Sequence, residues 1–452
     1  MLPGYGQSGA PSPAVFRPIH YIGSKLRILG SIVDAIESVA PGEDPVCDLF
    51  SGSGTVAMAV AQRRPVIAVD IQEYSRVICS ALLCRPAISA SRRAKLIEWA
   101  LELSEHLGEA VAPLIDHESR CLRAAAQGHH EPMCDLVEHG SMVGYQMARA
   151  TVVNRELASA IGASIAGLTK AGAIDSVDTL ITRHFGGVYF SYLQSLQLDC
   201  ILAAAWKAPR NERDFFVAAV LSTASSIVNT VGKHFAQPIR PRDGSGNPKR
   251  HLLSKIEEDR SLPVFSTFQD WLSAYATYQA RTSDNLVVRG DYADTIRSFK
   301  GQLAAVYADP PYTRDHYSRF YHVLETICRR DNPGVSMMRV CGVDRVSRGL
   351  YRIDRHQSPF CIKSQAALAF KNLFDAVRPH QVPLIVSYSP TTEYEGSRPR
   401  VMTIDAIRQL ALEYFSIVDV SSAGAVSHSK LNSASKLLGR SVDAERLLVC
   451  QP

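Results

Sequence analysis

The 452-residue sequence lacks most of the features that would place it in a special class at once. No apolar run reaches the ~18 residues that a membrane span needs, so no spanning helix is expected. The opening M-L-P-G-Y-G-Q-S-G-A-P-S-P has no basic stretch followed by an apolar core. It is expected to be a disordered lead over residues 1–17 rather than a secretory signal, and the protein is expected in the cytoplasm. Ten cysteines are present, but none forms a C-x-x-C pair, and Cys47, Cys79, Cys200 and Cys450 sit inside apolar runs. Reduced core thiols follow, not a disulfide framework. His129, His130 and Cys134 lie together in G-H-H-E-P-M-C without a second ligand pair at finger spacing, so no metal is expected. Strong charge is missing too: the net charge is +5, which permits a nucleic-acid partner without demanding one.

What is present is an ordinary globular composition, 46% hydrophobic and 21% charged, in a chain too long for one simple core. No internal repeat is visible. P-V-C-D-L-F, then S-G-S-G, then T-V-A-M-A-V-A-Q-R-R, then P-V-I-A-V-D reads as strand, turn, helix, strand. Continuous apolar strands joined through a helix indicate a parallel sheet covered on both faces. From residue 86 to about 236 the pattern is helical, as in R-R-A-K-L-I-E-W-A-L-E-L and D-F-F-V-A-A-V-L-S-T-A-S-S-I-V. A loop rich in Pro, Gly and basic residues follows, Q-P-I-R-P-R-D-G-S-G-N-P-K-R-H. Strand-like runs return at N-L-V-V-R-G-D-Y, Q-L-A-A-V-Y-A-D, V-P-L-I-V-S-Y-S, F-S-I-V-D-V and R-L-L-V-C. An α/β domain split into 18–85 and 284–452 by a mostly helical insertion over 86–283 accounts for this order.

Two constellations carry chemistry. In D-L-F-S-G-S-G-T-V-A, Gly52 and Gly54 follow a strand and open a helix, and Asp70 ends the next strand. Glycines permit a tight turn and close approach of the backbone to a ligand, a helix N-terminus favours an anion, and an acid some twenty residues on suits ribose hydroxyls. That much indicates a nucleoside-containing cofactor in a Rossmann-like sheet, against the alternative of a plain Gly-rich turn. In A-D-P-P-Y, two prolines without N–H groups stiffen a turn that sets Asp309 and the Pro310 carbonyl at a strand end. A carboxylate and a carbonyl are both acceptors, suited to the two hydrogens of an amino group, while Tyr312 offers a stacking face.

With these residues in view, the sequence resembles the Dam-type class of adenine-N6 DNA methyltransferases, which use S-adenosylmethionine. D-P-P-Y resembles the catalytic motif of that class, D-L-F-S-G-S-G its cofactor loop, Y-I-G-S-K at 21–25 its N-terminal cofactor motif, and G-D-Y at 290–292 the motif flanking the cofactor adenine. H-F-G-G-V-Y-F-S at 184–191 and N-T-V-G-K-H-F-A-Q-P at 229–238 also resemble its larger members. The resemblance implies a Rossmann-like methyltransferase sheet with a large helical inserted DNA-recognition domain. It implies Asp309, Pro310, Pro311 and Tyr312 as catalytic residues. Cofactor contacts are implied for Tyr21, Gly23, Lys25, Asp48, Phe50, Gly52, Gly54, Asp70, Asp291 and Tyr292, with Lys25 and the backbone at Gly23 on the methionine carboxylate, Asp70 on the ribose, and Asp291 and Tyr292 on the adenine. The implied activity is methylation of adenine N6 in double-stranded DNA by base flipping, in a restriction–modification or related defence system with a cognate restriction endonuclease.

The alternatives at this level are a methylase of cytosine N4, RNA or protein glutamine, and an inactive DNA-binding regulator on the same fold. Asp before Pro-Pro-Tyr favours adenine, and intact Asp309, Tyr312 and Asp70 speak against the inactive form. Phosphate contacts are expected from the basic loop 237–255, with Arg240, Arg242, Lys249 and Arg250, joined by Lys233. The Gly-Ser-Gly-Asn centre of that loop is expected to be mobile. After the catalytic motif, Tyr317, Arg319 and Tyr321 are candidates for DNA contact or for core packing, as are His184, Tyr189 and Tyr192.

Overall fold

The computed structural model describes residues 16–21, 23–84, 86–148, 154–278, 280–340, 342–390, 400–423 and 445–452. Most of the expected disordered lead therefore lies outside the described residues.

Apolar runs at both ends of the chain meet in one sheet. Its strands are β1 (Val46–Asp48), β2 (Val66–Asp70), β3 (Leu286–Arg289), β4 (Ala305–Ala308), β7 (Leu384–Tyr388), β8 (Ile417–Ser422) and β9 (Arg446–Gln451), and a separate hairpin is formed by β5 (Met337–Val340) and β6 (Val343–Val346). The sheet order is β3-β2-β1-β4-β7-β9-β8. The pairs from β3 to β7 are parallel, and β9 pairs antiparallel with both of its neighbours. This is a Rossmann-like sheet. The chain winds outward from β1 through β2 to β3, then returns to place β4 on the other side of β1. That reversal opens a crevice at the carboxyl ends of β1 and β4, where open α/β sheets bind ligands.

Successive strand residues face opposite sides, so one sheet feeds two cores. Val46, Ala68, Ala305, Tyr307 and Ile385 pack on one face, while Cys47, Ile67, Val69, Val306, Ala308 and Val386 pack on the other. The second face is covered by the helices Tyr292–Ser298, Ala366–Val377 and Ile404–Ala411 through Ile296, Phe370, Phe374 and Ile407. The first is covered by helices that include part of the long inserted stretch. Phe215, Phe216 and Val220 of Arg210–Ile227, and Phe268 and Tyr275 of Val264–Thr277, share its core.

The helical stretch between the two strand-bearing segments is thus not a single separate lobe. Only part of it builds its own core, from Leu107, Val111 and Leu114 of the 37-residue helix Ala90–Ala126, Leu157 and Ile161 of Arg155–Lys170, and Leu253 and Ile256 of Arg250–Arg260. Buried polar pairs tie this part down. Arg260 is bound to Glu118 and to the Gly187 carbonyl, and Glu118 also accepts from the Tyr192 amide at 2.8 Å. Leaving either partner of such a buried pair alone would cost several kcal/mol, about 3–5.

Candidate active site

The cleft lies at the carboxyl edge of the sheet, and four strand ends supply its walls. The turn after β1 brings Phe50, β2 ends in Asp70, the turn after β3 brings Asp291 and Tyr292, and β4 runs into Asp309–Tyr312. Tyr21, Gly23, Lys25 and Tyr317 complete the expected lining.

The glycine-rich turn is built around a carboxylate. Gly52 N–H donates to Asp70 Oδ2 at 2.9 Å, Gln72 N–H donates to Oδ1 at 2.8 Å, and Ser51 N–H donates to the Val69 carbonyl at 3.1 Å. Asp70 is therefore both a cleft wall and the anchor of the turn. Gly52 has φ +53°, and a Cβ there would collide with the Tyr21 hydroxyl. Gly54, at φ +77°, is the residue before the short helix Thr55–Val60, and a Cβ there would come 3.2 Å from Cys79 Sγ. Neither glycine lines the cleft; Gly52 lets the turn fold beneath Tyr21, and Gly54 takes a left-handed turn against Cys79. Asp48 does not line it either. Its side chain is 1% exposed, Oδ1 has no hydrogen-bond partner among the described residues, and burial pushes its carboxyl up to about 8, a group set behind the turn.

At the G-D-Y turn, both hydrogen bonds of Asp291 use Oδ1, accepting from Ala293 N–H at 2.9 Å and Asp294 N–H at 3.3 Å as an N-cap. Oδ2 has no hydrogen bond among the described residues. Tyr292 is fixed through its hydroxyl, which donates to the Ala369 carbonyl at 3.2 Å, and its ring packs 5.3 Å from both Phe50 and Phe360.

The catalytic-motif turn holds an ionic arrangement that the motifs did not suggest. Lys25 Nζ lies 3.0 Å from Asp309 Oδ1 and 2.7 Å from Glu445 Oε1, with the lysine 6% exposed. Glu445 immediately precedes β9 and also accepts from Ser387 Oγ of β7 at 3.0 Å. Lys25, expected at the methionine carboxylate, is engaged with Asp309. Burial raises the Asp309 carboxyl to about 6, Lys25 opposes that rise, and Glu445 adds to it. Tyr312 is nearly buried. The Arg400 guanidinium lies 4.7 Å from its ring centroid, Lys25 Nζ lies 5.3 Å from it, and Tyr388 meets it edge-on at 5.5 Å.

The residues expected to touch DNA separate into two groups. Arg242 pairs with Glu131 and Asp135 at 2.7 Å and also with Glu138, all on the helix Glu131–His139. Lys233 pairs with Asp259 at 2.7 Å and donates to the Val228 carbonyl at 3.0 Å. Both cations hold the inserted helices together, so they are withdrawn as phosphate contacts. The Gly-Ser-Gly-Asn loop is a closed turn in which Asp243 Oδ1 accepts from Ser245 and Asn247 N–H, each at 2.9 Å. Arg240 and Arg250 are exposed, and Lys249 is half-buried.

Tyr321 is core. Its ring is stacked between Tyr21 and Tyr74 at 5.0 Å from each. The Tyr189 hydroxyl donates to the Phe235 and Gly349 carbonyls, the Tyr192 hydroxyl to that of Gly140, and His184 bonds the Leu180 and Pro333 carbonyls, with burial pushing its imidazole down to about 4. These three also pack inward. Glu445, Tyr74, His356, Pro359 and Cys361 belong to the site's surroundings without having been foreseen. Only H-Q-S-P-F-C at 356–361, a Pro-containing stretch, gave any signal.

No helix among the described residues is long and apolar enough to cross a membrane. The family model of the D12 class N6 adenine-specific DNA methyltransferases matches residues 21–107 and 266–378. The modification methylase LlaI of Lactococcus lactis subsp. lactis is 28% identical over 233 residues, which cover 51% of this chain and 30% of that protein's length. The two matched segments flank the inserted helices and contribute facing walls of one cleft, with Tyr21, Phe50 and Asp70 in the first and Asp291 and Asp309–Tyr312 in the second. Over these two segments the chain is similar to the D12 class of N6 adenine-specific DNA methyltransferases.

Proposed function

We infer that this chain transfers a methyl group to N6 of adenine within a specific double-stranded DNA sequence. It would do so in the cytoplasm, as the modification component of a restriction–modification or related defence system. The observation carrying this reading is the convergence of the stiff Asp309–Tyr312 turn with Phe50, Asp70 and Asp291 on one cleft. Two acceptor carboxylates at neighbouring strand ends beside an aromatic cluster fit a nucleoside-bearing cofactor. Among the described residues Asp291 Oδ2 accepts no hydrogen bond, and Asp70 has a remaining lone pair on each oxygen. S-adenosylmethionine, when bound, supplies a methyl group already activated on a sulfonium. Asp70 would take its ribose, and Asp291, Tyr292 and Phe50 its adenine.

The protein's own task is then to present a poor nucleophile. The amino nitrogen of adenine has its lone pair delocalised into the ring. Asp309 and the Pro310 carbonyl would accept its two hydrogens, favouring a tetrahedral nitrogen with the lone pair directed at the methyl carbon. Positioning of this kind has a ceiling of ~7–11 kcal/mol. Asp309 must be ionised to accept, which Lys25 favours against burial. Because the target nitrogen is out of reach in a stacked duplex, the base must leave the helix. Stacking on Tyr312 would offset part of that cost of a few kcal/mol.

The test is single-molecule sequencing of DNA from a methylase-free host expressing the chain, beside an Asp309→Ala control. N6-methyladenine at one recurrent motif, absent from the control, is expected. Methylcytosine, or no DNA modification with either chain, would overturn the assignment.

A further inference from the structure

Arginines around the helix Ser318–Arg329 fall into two sets. Arg242, Arg260, Arg329, Arg330 and Arg352 each pair with at least one carboxylate. Arg240, Arg319, Arg348 and Arg355 pair with none among the described residues. These four come from three separate parts of the chain: the basic loop, the first turn of the helix Ser318–Arg329, and the segment leading out of the β5–β6 hairpin. They nevertheless gather around one side chain, Tyr351. The Arg355 guanidinium lies 4.8 Å and that of Arg319 6.0 Å from its ring centroid. Arg348 donates to the Ile239 carbonyl next to Arg240, and the Tyr351 hydroxyl donates to the Ala236 carbonyl. Arg348 feels the charge of Arg240, and Arg355 that of Arg319, each being lowered by burial and by its neighbour.

Four like charges held this closely repel, and the nearby acids are already engaged. Glu138, which lies near Arg348, is bound to Arg242, and Asp354 is bound to Arg352 and Arg329. The arrangement is therefore short of an anion. It also borders the cleft, because Ser318 beside Arg319 and His356 beside Arg355 both line it.

We propose that Arg240, Arg319, Arg348 and Arg355 form a phosphate clamp, centred on Tyr351, that holds the DNA backbone next to the base entering the active site. The proposal rests on the DNA-methyltransferase reading and adds to it the surface through which the substrate backbone is gripped. Planar guanidiniums match phosphate oxygens with paired donors, and Tyr351 spaces two of them by stacking. Arg348 and Arg355 replace Arg242 and Lys233 as the cationic contacts.

The experiment measures the affinity of the full chain for a duplex carrying the modified sequence, against salt concentration, for wild type, Arg240→Gln/Arg355→Gln, Arg240→Lys/Arg355→Lys and Lys371→Gln. Arg240 and Arg355 are chosen because neither bonds a carboxylate among the described residues, and thermal unfolding checks that the Gln pair is folded. Each lost contact lowers the log–log salt slope by about one. Two together weaken binding on the order of 50-fold at 0.1 M salt relative to wild type. The Lys pair should keep the slope, Lys371→Gln should match wild type, and cofactor affinity should be unchanged throughout. A folded Gln pair with the wild-type slope overturns the clamp while leaving the enzyme assignment intact. Absence of salt-dependent duplex binding by the wild type overturns both.

Discussion

Glu445→Gln tests the ionic arrangement behind the catalytic turn without deleting a cleft residue. In the wild type, Lys25 stands between two carboxylates, 3.0 Å from one and 2.7 Å from the other. Placed end to end those distances separate the two oxygens by at most ~5.7 Å. At an effective dielectric of 20, the repulsion of two unit charges at that distance is about 2.9 kcal/mol, and at the dielectric of water about 0.7 kcal/mol. At 1.36 kcal/mol per unit, removing the Glu445 charge should lower the Asp309 pKa by about 0.5 to 2 units from its raised position near 6. The side-chain amide introduced by the substitution would still accept from Ser387 Oγ, so the local hydrogen bond is retained. The assay is kcat/KM for a methylatable duplex from pH 5 to 9, which reports the free enzyme. Wild type should lose activity as pH falls through about 6, because protonated Asp309 no longer accepts its amino hydrogen as a carboxylate. The variant should hold its activity to lower pH. An acid limb that stays in place, or moves upward, would refute the coupling of Glu445 to Asp309 and reduce Glu445 to a packing residue.

Three other perturbations separate charge, anchoring and packing. Lys25→Met leaves Asp309 and Glu445 buried without a cation, which should cost ~3–5 kcal/mol at pH 8. Asp309 already takes up its proton more readily folded than unfolded, and losing Lys25 strengthens that preference. The penalty should therefore shrink as pH falls from 8 to 5, and a drop in Tm independent of pH would contradict it. Asp70→Ala removes the anchor of Gly52 N–H as well as a cleft carboxylate, so cofactor affinity measured calorimetrically should fall ~10–100-fold; an unchanged Kd would refute the ribose role. Tyr321→Phe should leave both stability and DNA affinity near wild type, whereas Tyr321→Ala should cost ~3–5 kcal/mol by emptying the stack between Tyr21 and Tyr74. Loss of DNA affinity in the Phe variant would restore Tyr321 as a DNA contact.

The middle of the sheet was legible because β1, β2, β4 and β7 are buried and read as apolar runs bounded by Gly, Pro or Asp. The motifs at their ends were legible because each is local: Asp70 closes β2, Asp291 caps the helix after β3, and Asp309 ends β4. What could not be read is whatever depends on distant pairing. Arg242 and Arg240 stand two residues apart in one basic loop, yet the first meets three carboxylates of the helix Glu131–His139 and the second meets none among the described residues. Tyr317 and Tyr321 share helical spacing, and both border the cleft, but Tyr321 is stacked in the core between two other rings. The β5–β6 hairpin was missed because M-M-R-V-C-G-V-D-R-V lies outside the sheet and shows no clear alternation. A charge pattern records how many cations a loop has, not which of them its own protein neutralises.

The Lys25–Glu445 contact joins residues 420 positions apart, and the topology explains why so long a separation converges on one turn. β9 enters antiparallel beside β7, with Arg446 opposite Tyr388, so the residue just before β9 arrives at the same sheet edge where the parallel strands end. An antiparallel strand thereby delivers its first residues, rather than its last, to the catalytic edge. A carboxylate at that point can set the charge state of Asp309 through Lys25. The insertion of β9 between β7 and β8 thus completes the sheet and also brings the far end of the chain against the lysine that faces Asp309.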